Sequence, residues 1–81
     1  MLNISEAVAL RTKELLKEKN LSQYRLEQNM GLSHETVKSI MKGKTRGVNL
    51  KTVLVLAEGF KMTVADFLNS DLFLYGNLFI D

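Results

Sequence analysis

Five segments of the chain begin with the same arrangement of apolar and polar residues. In each, an apolar residue precedes Ser, Asn or Thr, and a second apolar residue lies four positions after that polar residue. The polar side chain can accept a hydrogen bond from a free N–H at a helix start, while the apolar pair clamps the entry of the chain. The pattern predicts helix starts at Ser5, Ser22, Ser33, Asn49 and Thr63.

Apolar residues after these starts recur at helical spacing. In the fourth segment, Val53, Leu56 and Phe60 are separated by three and four residues, as one face of a helix requires. Helices this short are marginal alone in water, so they must be held by packing against one another. We predict an all-α fold with helices at residues 5–19, 22–29, 33–42, 49–60 and 63–70.

Composition excludes several classes of protein. The 81 residues include no cysteine and one histidine, which rules out a disulfide framework and a metal site built from several Cys or His ligands. No apolar run approaches the roughly 20 residues that span a bilayer, and the N-terminus lacks the basic cluster of a secretory signal. We expect one small cytoplasmic domain with no membrane association, metal or cofactor.

Positive charge is concentrated in one part of the chain, although the net charge is only +2. No acidic residue occurs between Glu35 and Glu58, and the basic residues of that interval are Lys38, Lys42, Lys44, Arg46 and Lys51. Such a stretch suits a polyanion. A solvated surface is the alternative, so the placement of these residues in the fold decides between the two.

The second and third predicted helices are separated only by "NMGLS". Gly31 can adopt a positive φ there, which lets two helices cross steeply. This is the helix-turn-helix arrangement, whose second helix can enter the major groove of DNA. Val37 and Ile40 should then face inward, and the basic residues that follow should lie along the phosphate backbone.

Residues 21–68, "LSQYRLEQNMGLSHETVKSIMKGKTRGVNLKTVLVLAEGFKMTVADFL", resemble the Cro / lambda-repressor-like (Xre-type) helix-turn-helix family. The matching features are Leu-Ser-Gln at the second helix, Gly-Leu-Ser at the turn, Val37 and Ile40, and the closing "LKTVLVLAEGF…MT…FL". The resemblance implies a compact five-helix domain at residues 1–70 that binds a double-stranded DNA operator, usually as a homodimer. It implies a sequence-specific transcriptional regulator, a repressor, of a prokaryote or its phage or mobile element.

The resemblance also implies roles for individual residues. Helix 33–42 would read the major groove, loop 42–47 would hold phosphates, and Gln23 would contact phosphate and brace the third helix. The implied DNA-binding residues are Gln23, Ser33, His34, Glu35, Thr36, Lys38, Ser39, Lys42, Lys44 and Arg46. For Glu35, complementing the positive end of the helix is an equally good interpretation, and for His34 the alternative is simple solvent exposure.

Three features depart from the pattern of the family. Glu27 stands where a small residue is usual, so its carboxylate must reach solvent or find a partner, or the second and third helices must shift relative to each other. Leu16 and Met41 stand where many members carry a paired Arg and Glu, which predicts apolar contact between the first helix and the end of the third. Lys61 stands where a glycine often ends the fourth helix, so we expect that end to be built differently.

Residues 71–81 form an apolar tail. The tail is long enough for a strand, a hairpin about Gly76 and Asn77, or an arm, and it can pack on its own fourth helix or on a second subunit. We favour the dimer, because a symmetric pair reads two half-sites. The predicted dimerisation residues are Leu54, Val55, Leu72, Phe73, Leu74, Tyr75, Leu78, Phe79 and Ile80.

The tail also supports an alternative function, an antitoxin or other interaction module that binds a protein partner. An enzyme is a third class. Ser33, His34 and Glu35 have the residue types of a catalytic triad, but consecutive residues of a helix point about 100° apart and cannot align for that chemistry. We therefore expect no catalytic residues.

Overall fold

The computed structural model describes residues 1–43 and 48–79, and this part of the chain contains five α-helices. They are α1 (Ile4–Glu18), α2 (Gln23–Met30), α3 (His34–Met41), α4 (Leu50–Gly59) and α5 (Val64–Leu68), followed by a 3-10 helix at Asp71–Phe73. The predicted all-α, five-helix fold is confirmed, and each boundary lies within two residues of its predicted place. Among the described helices, none combines the length and the apolar character needed to cross a membrane.

The N-caps of α2 to α5 are those predicted, namely Ser22, Ser33, Asn49 and Thr63. The prediction for α1 was wrong, because Asn3 and not Ser5 caps that helix. Asn3 Oδ1 accepts from the Glu6 N–H at 2.8 Å, and Glu6 Oε1 accepts from the Asn3 N–H at 3.0 Å. This reciprocal capping box satisfies two N–H groups at once. Ser5 has Val8 three residues later, so it cannot form one.

The helices share one hydrophobic core. Leu15, Leu26, Leu56 and Phe67 are fully buried within it, and the Phe67 ring lies 6.4 Å from that of Phe73. Helix α2 packs against α4, and α1 packs against α3. These contacts hold the outer side of α3 at the surface of the molecule.

The predicted packing of the first helix against the third is confirmed at the level of the two helices. Met41, at the end of α3, lines a groove together with Ala9 and Leu10 of α1. Leu16 packs against the core. Leu16 and Met41 thus place apolar side chains at both positions where many members of the family that the sequence resembles carry an ion pair.

The end of α4 differs from our expectation. Lys61 adopts the left-handed conformation, with φ at 59°. Its N–H donates to Glu58 O at 2.9 Å, and the Met62 N–H donates to Ala57 O at 2.9 Å. These two bonds form the usual helix end that a glycine favours. The expectation of a different construction was wrong, because the lysine itself adopts the conformation of the glycine.

The tail folds back onto the start of its own chain. The Leu2 N–H donates to Asn77 O at 3.1 Å, and the Phe79 N–H donates to Leu2 O at 3.0 Å. An isolated parallel bridge therefore joins Leu2 to Leu78. Within the described residues, the tail forms neither a hairpin about Gly76 and Asn77 nor a layer over α4.

Packing of the tail beside α1 leaves several predicted dimerisation residues accessible. Leu54 on α4 is 44% exposed, whereas Val55 is half-buried. In the tail, the half-buried side chains are Leu72, Phe73 and Leu78, and the exposed ones are Leu74, Tyr75 and Phe79. Ile80 lies outside the described residues.

Candidate nucleic-acid interface

A three-residue turn, residues 31–33, joins α2 to α3. Gly31 has the predicted positive φ, at 69°, and its N–H donates to Glu27 O at 3.0 Å, which closes α2. A Cβ atom added at Gly31 would meet no other part of the fold within 4 Å, so backbone conformation and not space favours glycine here. Ser33 then caps α3, and the new helix starts directly after the turn.

Helix α3 has a buried face and an exposed face. Val37 and Ile40 are buried, as predicted. The exposed side chains, which we call the α3 surface, are His34, Glu35, Thr36, Lys38, Ser39 and Lys42. The predicted DNA-binding residues of α3 thus lie together on one accessible side of the molecule.

Ser33 and Thr36 are engaged with each other at the start of α3. Ser33 Oγ accepts from the Thr36 N–H at 3.3 Å, and the two hydroxyl oxygens lie 2.9 Å apart. Ser33 therefore has a local structural role as the helix cap, in addition to the DNA contact that the resemblance implies for it.

A polar network links α2 to the start of α3. The Glu27 carboxylate is the partner of two predicted DNA-binding residues, since Oε2 accepts from Gln23 Nε2 at 3.1 Å and lies 2.7 Å from His34 Nδ1. Glu27 is buried, with 8% of the residue exposed. A partner was one of the alternatives that the sequence left open for this acid, and the structure identifies the partners as Gln23 and His34.

The environment of Glu27 favours its ionised form. Burial raises the pKa of the carboxyl group. Hydrogen bonds to His34 and Gln23, together with an electrostatic contribution from His34, lower the pKa by more than burial raises it. The net pKa of Glu27 lies below its ordinary value of 4.5. At neutral pH the carboxylate is therefore an acceptor on both bonds.

Positive side chains lie on and beside the α3 surface. Lys42 is exposed at the C-cap of α3. Lys51 of α4 lines a cleft of about 530 Å³ between α3 and α4, and Glu35 lines the same cleft. Lys51 was not among the predicted site residues, although its place in the acid-free interval was a signal for it. Lys44 and Arg46 lie outside the described residues.

Comparison with known proteins agrees with this geometry. The family model for the Cro/C1-type HTH DNA-binding domain matches residues 11–71. The crystal structure of the prophage Lp1 protein 11 is similar, with a TM-score of 0.77 and 23% sequence identity over 90% of this chain and 96% of that chain. At this identity the likeness shows a shared fold. A search of curated protein sequences finds no match.

The family match includes α2, the turn and the α3 surface, which carry the helix-turn-helix geometry described above. The chain therefore belongs to the Cro/C1-type helix-turn-helix DNA-binding domain family.

Proposed function

We propose that this protein is a sequence-specific transcriptional regulator, and specifically a repressor, of a prokaryote or its phage or mobile element. The observation that carries the proposal is the exposed α3 surface, which follows a three-residue turn in a domain of a DNA-binding family. A protein bound at an operator blocks access to the DNA beneath it, so repression follows from binding alone.

In this proposal, α3 lies in the major groove with its N-terminal end toward the base edges. His34, Glu35 and Ser39 read bases, while Thr36 and Lys38 contact bases or phosphates. Glu35 can accept from the amino group of cytosine. The placement of Lys51 in the same cleft supports this role, since a nearby positive charge reduces the repulsion between Glu35 and phosphates.

Phosphate contacts come from the residues that flank α3. Lys42 is exposed at the end of the helix, and Gln23 is half-buried at the start of α2. Lys44 and Arg46 complete the proposed set on the strength of their charge and their sequence position. Ser33 is the N-cap of α3 and would contribute a DNA contact from that end of the helix. Contacts of this kind set orientation and affinity without selecting a sequence.

A homodimer would bring two α3 surfaces to one operator, with centres about 34–36 Å apart. The apolar side chains available for such an interface are the exposed Leu54, Leu74, Tyr75 and Phe79 and the half-buried Val55. The hydrogen bonds of the tail to Leu2 favour a tail that is ordered within the pure protein. Order of this kind suits a dimer interface better than an arm that folds on a separate partner.

The first experiment is selection of bound sequences from a random pool of duplex DNA, with the purified protein at physiological salt. We expect enrichment of a near-palindrome with half-sites one helical turn, about 10–10.5 base pairs, apart or a multiple of that. A Ser39→Ala variant retains the buried residues of α3 and should enrich a sequence altered within each half-site.

Failure to enrich any sequence, with only weak and salt-sensitive binding, would contradict the proposal. The exposed apolar side chains of the tail would then favour the antitoxin or interaction-module alternative. That alternative predicts that a variant with Leu74, Tyr75 and Phe79 replaced by serine keeps its weak DNA binding.

A further inference from the structure

The Glu27 carboxylate of α2 lies beside the start of α3, within hydrogen-bond distance of His34. Its side chain is 10% exposed, whereas the side chain of His34 is 60% exposed. Nδ1 of the His34 ring lies 2.7 Å from Glu27 Oε2. Gln23 Nε2 donates to the same oxygen at 3.1 Å. The inner nitrogen of the ring is thus engaged by protein, and the ring extends outward to the α3 surface.

The chemistry of the pair determines where the imidazole carries its hydrogen. An ionised carboxylate has no hydrogen to donate, so the bond requires a hydrogen on Nδ1. A neutral imidazole has one donor nitrogen and one acceptor nitrogen. With Nδ1 as the donor, Nε2 is the acceptor. The bond also restricts rotation of the ring, since a half-turn would place carbon instead of nitrogen against Glu27.

We propose that Glu27 is a positioning residue for DNA recognition, which holds His34 so that Nε2 faces the major groove as a hydrogen-bond acceptor. The inference rests on the proposed function. The ligand groups that fit such an acceptor are the exocyclic amino groups of adenine and cytosine. Glu27 thereby determines which bases His34 selects, although its own side chain is only 10% exposed.

The tautomer can be measured without DNA, because His34 is the sole histidine of the chain. Two-bond nitrogen–proton correlation spectra of ¹⁵N-histidine-labelled protein at pH 8 should show the hydrogen on Nδ1. Glu27→Met removes the acceptor at similar side-chain length and should shift the hydrogen to Nε2, the form that an unrestrained imidazole favours. Glu27→Gln keeps an acceptor oxygen and should retain the Nδ1–H form.

The base preference is measured by sequence selection with the same variants. Glu27→Met should alter the preferred base pair at the position that His34→Ala alters, with a loss of discrimination of roughly 3- to 10-fold. In the His34→Ala background, Glu27→Met should add no further change, which is the coupling expected when one residue acts through another. Glu27→Gln should restore most of the preference. Thermal unfolding of each variant checks that it is folded.

Three results would overturn the inference. An Nε2–H or protonated ring in the wild-type protein at pH 8 would remove its chemical basis. If Glu27→Met left the base preference intact, Glu27 would not act through the histidine. The same conclusion would follow if Glu27→Met changed the preference equally in the wild-type and His34→Ala backgrounds. Absence of any enriched sequence for the wild-type protein would overturn the proposed function itself. The tautomer measurement, which needs no DNA, distinguishes that failure from the first result, and an enriched wild-type sequence distinguishes it from the second.

Discussion

Two described residues other than glycine have left-handed backbone conformations, Asn20 at φ 52° and Lys61 at φ 59°. Asparagine tolerates this region, because its short polar side chain can bond locally. Lysine has no such compensation, and its Cβ crowds the carbonyl that follows, at a cost of about 1–2 kcal/mol. The two hydrogen bonds of the usual helix end nevertheless form at Lys61, from its own N–H and from that of Met62. The fold therefore contains a local strain that a single substitution can relieve.

Lys61→Gly should raise the free energy of unfolding by roughly 0.5–1 kcal/mol, because relief of the left-handed strain exceeds the added entropy of glycine in the unfolded chain. Chemical denaturation with urea measures the change. Asn20→Gly is the matched control, and its free energy of unfolding should rise by less. A loss of stability in Lys61→Gly would mean that the lysine side chain contributes more through its own contacts than its backbone conformation costs.

The sequence indicated which residues of the candidate site are unusual but not how they pair. Glu27 was identified as a long acid at a position where a small residue is usual, with a partner as one of the alternatives. Its bond to His34 joins residues seven positions apart across a turn, so it depends on how α3 crosses α2. Gln23 and Glu27, by contrast, lie four apart on one helix, a spacing that allows contact from sequence alone. The spacing along one helix is therefore enough for the contact between Gln23 and Glu27 to be predicted. The contact between Glu27 and His34 could not be predicted, because it depends on the geometry across the turn.

At the scale of elements, the starts of α2 to α5 were predictable because an N-cap depends on four consecutive residues. The contact that completes the end of α5 was not predictable. Arg11, 11% exposed, reaches from α1 to this end, where Nε donates to Phe67 O at 2.6 Å and the guanidinium also donates to Asp66 O at 2.9 Å. A cation at a helix C-terminus satisfies carbonyls that have no partner within the helix. The contact spans 56 positions of sequence, and no local pattern marks it.

Arg11→Met should lower the free energy of unfolding by roughly 1.5–3 kcal/mol, because it keeps the apolar stem of the side chain but removes charged donors to two carbonyl groups. Denaturant unfolding followed by circular dichroism measures the loss. Arg25→Met is the matched control at an exposed position of α2 and should change stability by less than about 0.5 kcal/mol. Equal effects of the two substitutions would show that Arg11 does not stabilise the end of α5.

At the scale of the whole molecule, the tail and the charge distribution are the features that composition alone described poorly. The apolar tail was expected over α4 or a second subunit, but its bridge to Leu2 places it beside α1. That pairing joins the two ends of the described chain and carries no short-range signal. The net charge of +2 is too small to suggest strong attraction to DNA. What matters is that Lys38, Lys42 and Lys51 lie at or beside one helix.

The placement of charge predicts a specific dependence of DNA binding on salt. A residue that contacts phosphate releases about one counterion, so its removal reduces the slope of log K against log salt by about 0.9. Lys42→Ala should show this reduction and weaken binding to all sequences alike. Lys61→Ala removes a charge of the same sign, but Lys61 follows the C-terminal end of α4 whereas Lys51 lies at its N-terminal end. This variant should leave the slope unchanged. Fluorescence anisotropy titrations of labelled duplexes at several salt concentrations measure both slopes. If the two substitutions reduced the slope equally, the attraction of the protein to DNA would depend on net charge alone. The basic residues beside α3 would then make no specific contribution to DNA binding.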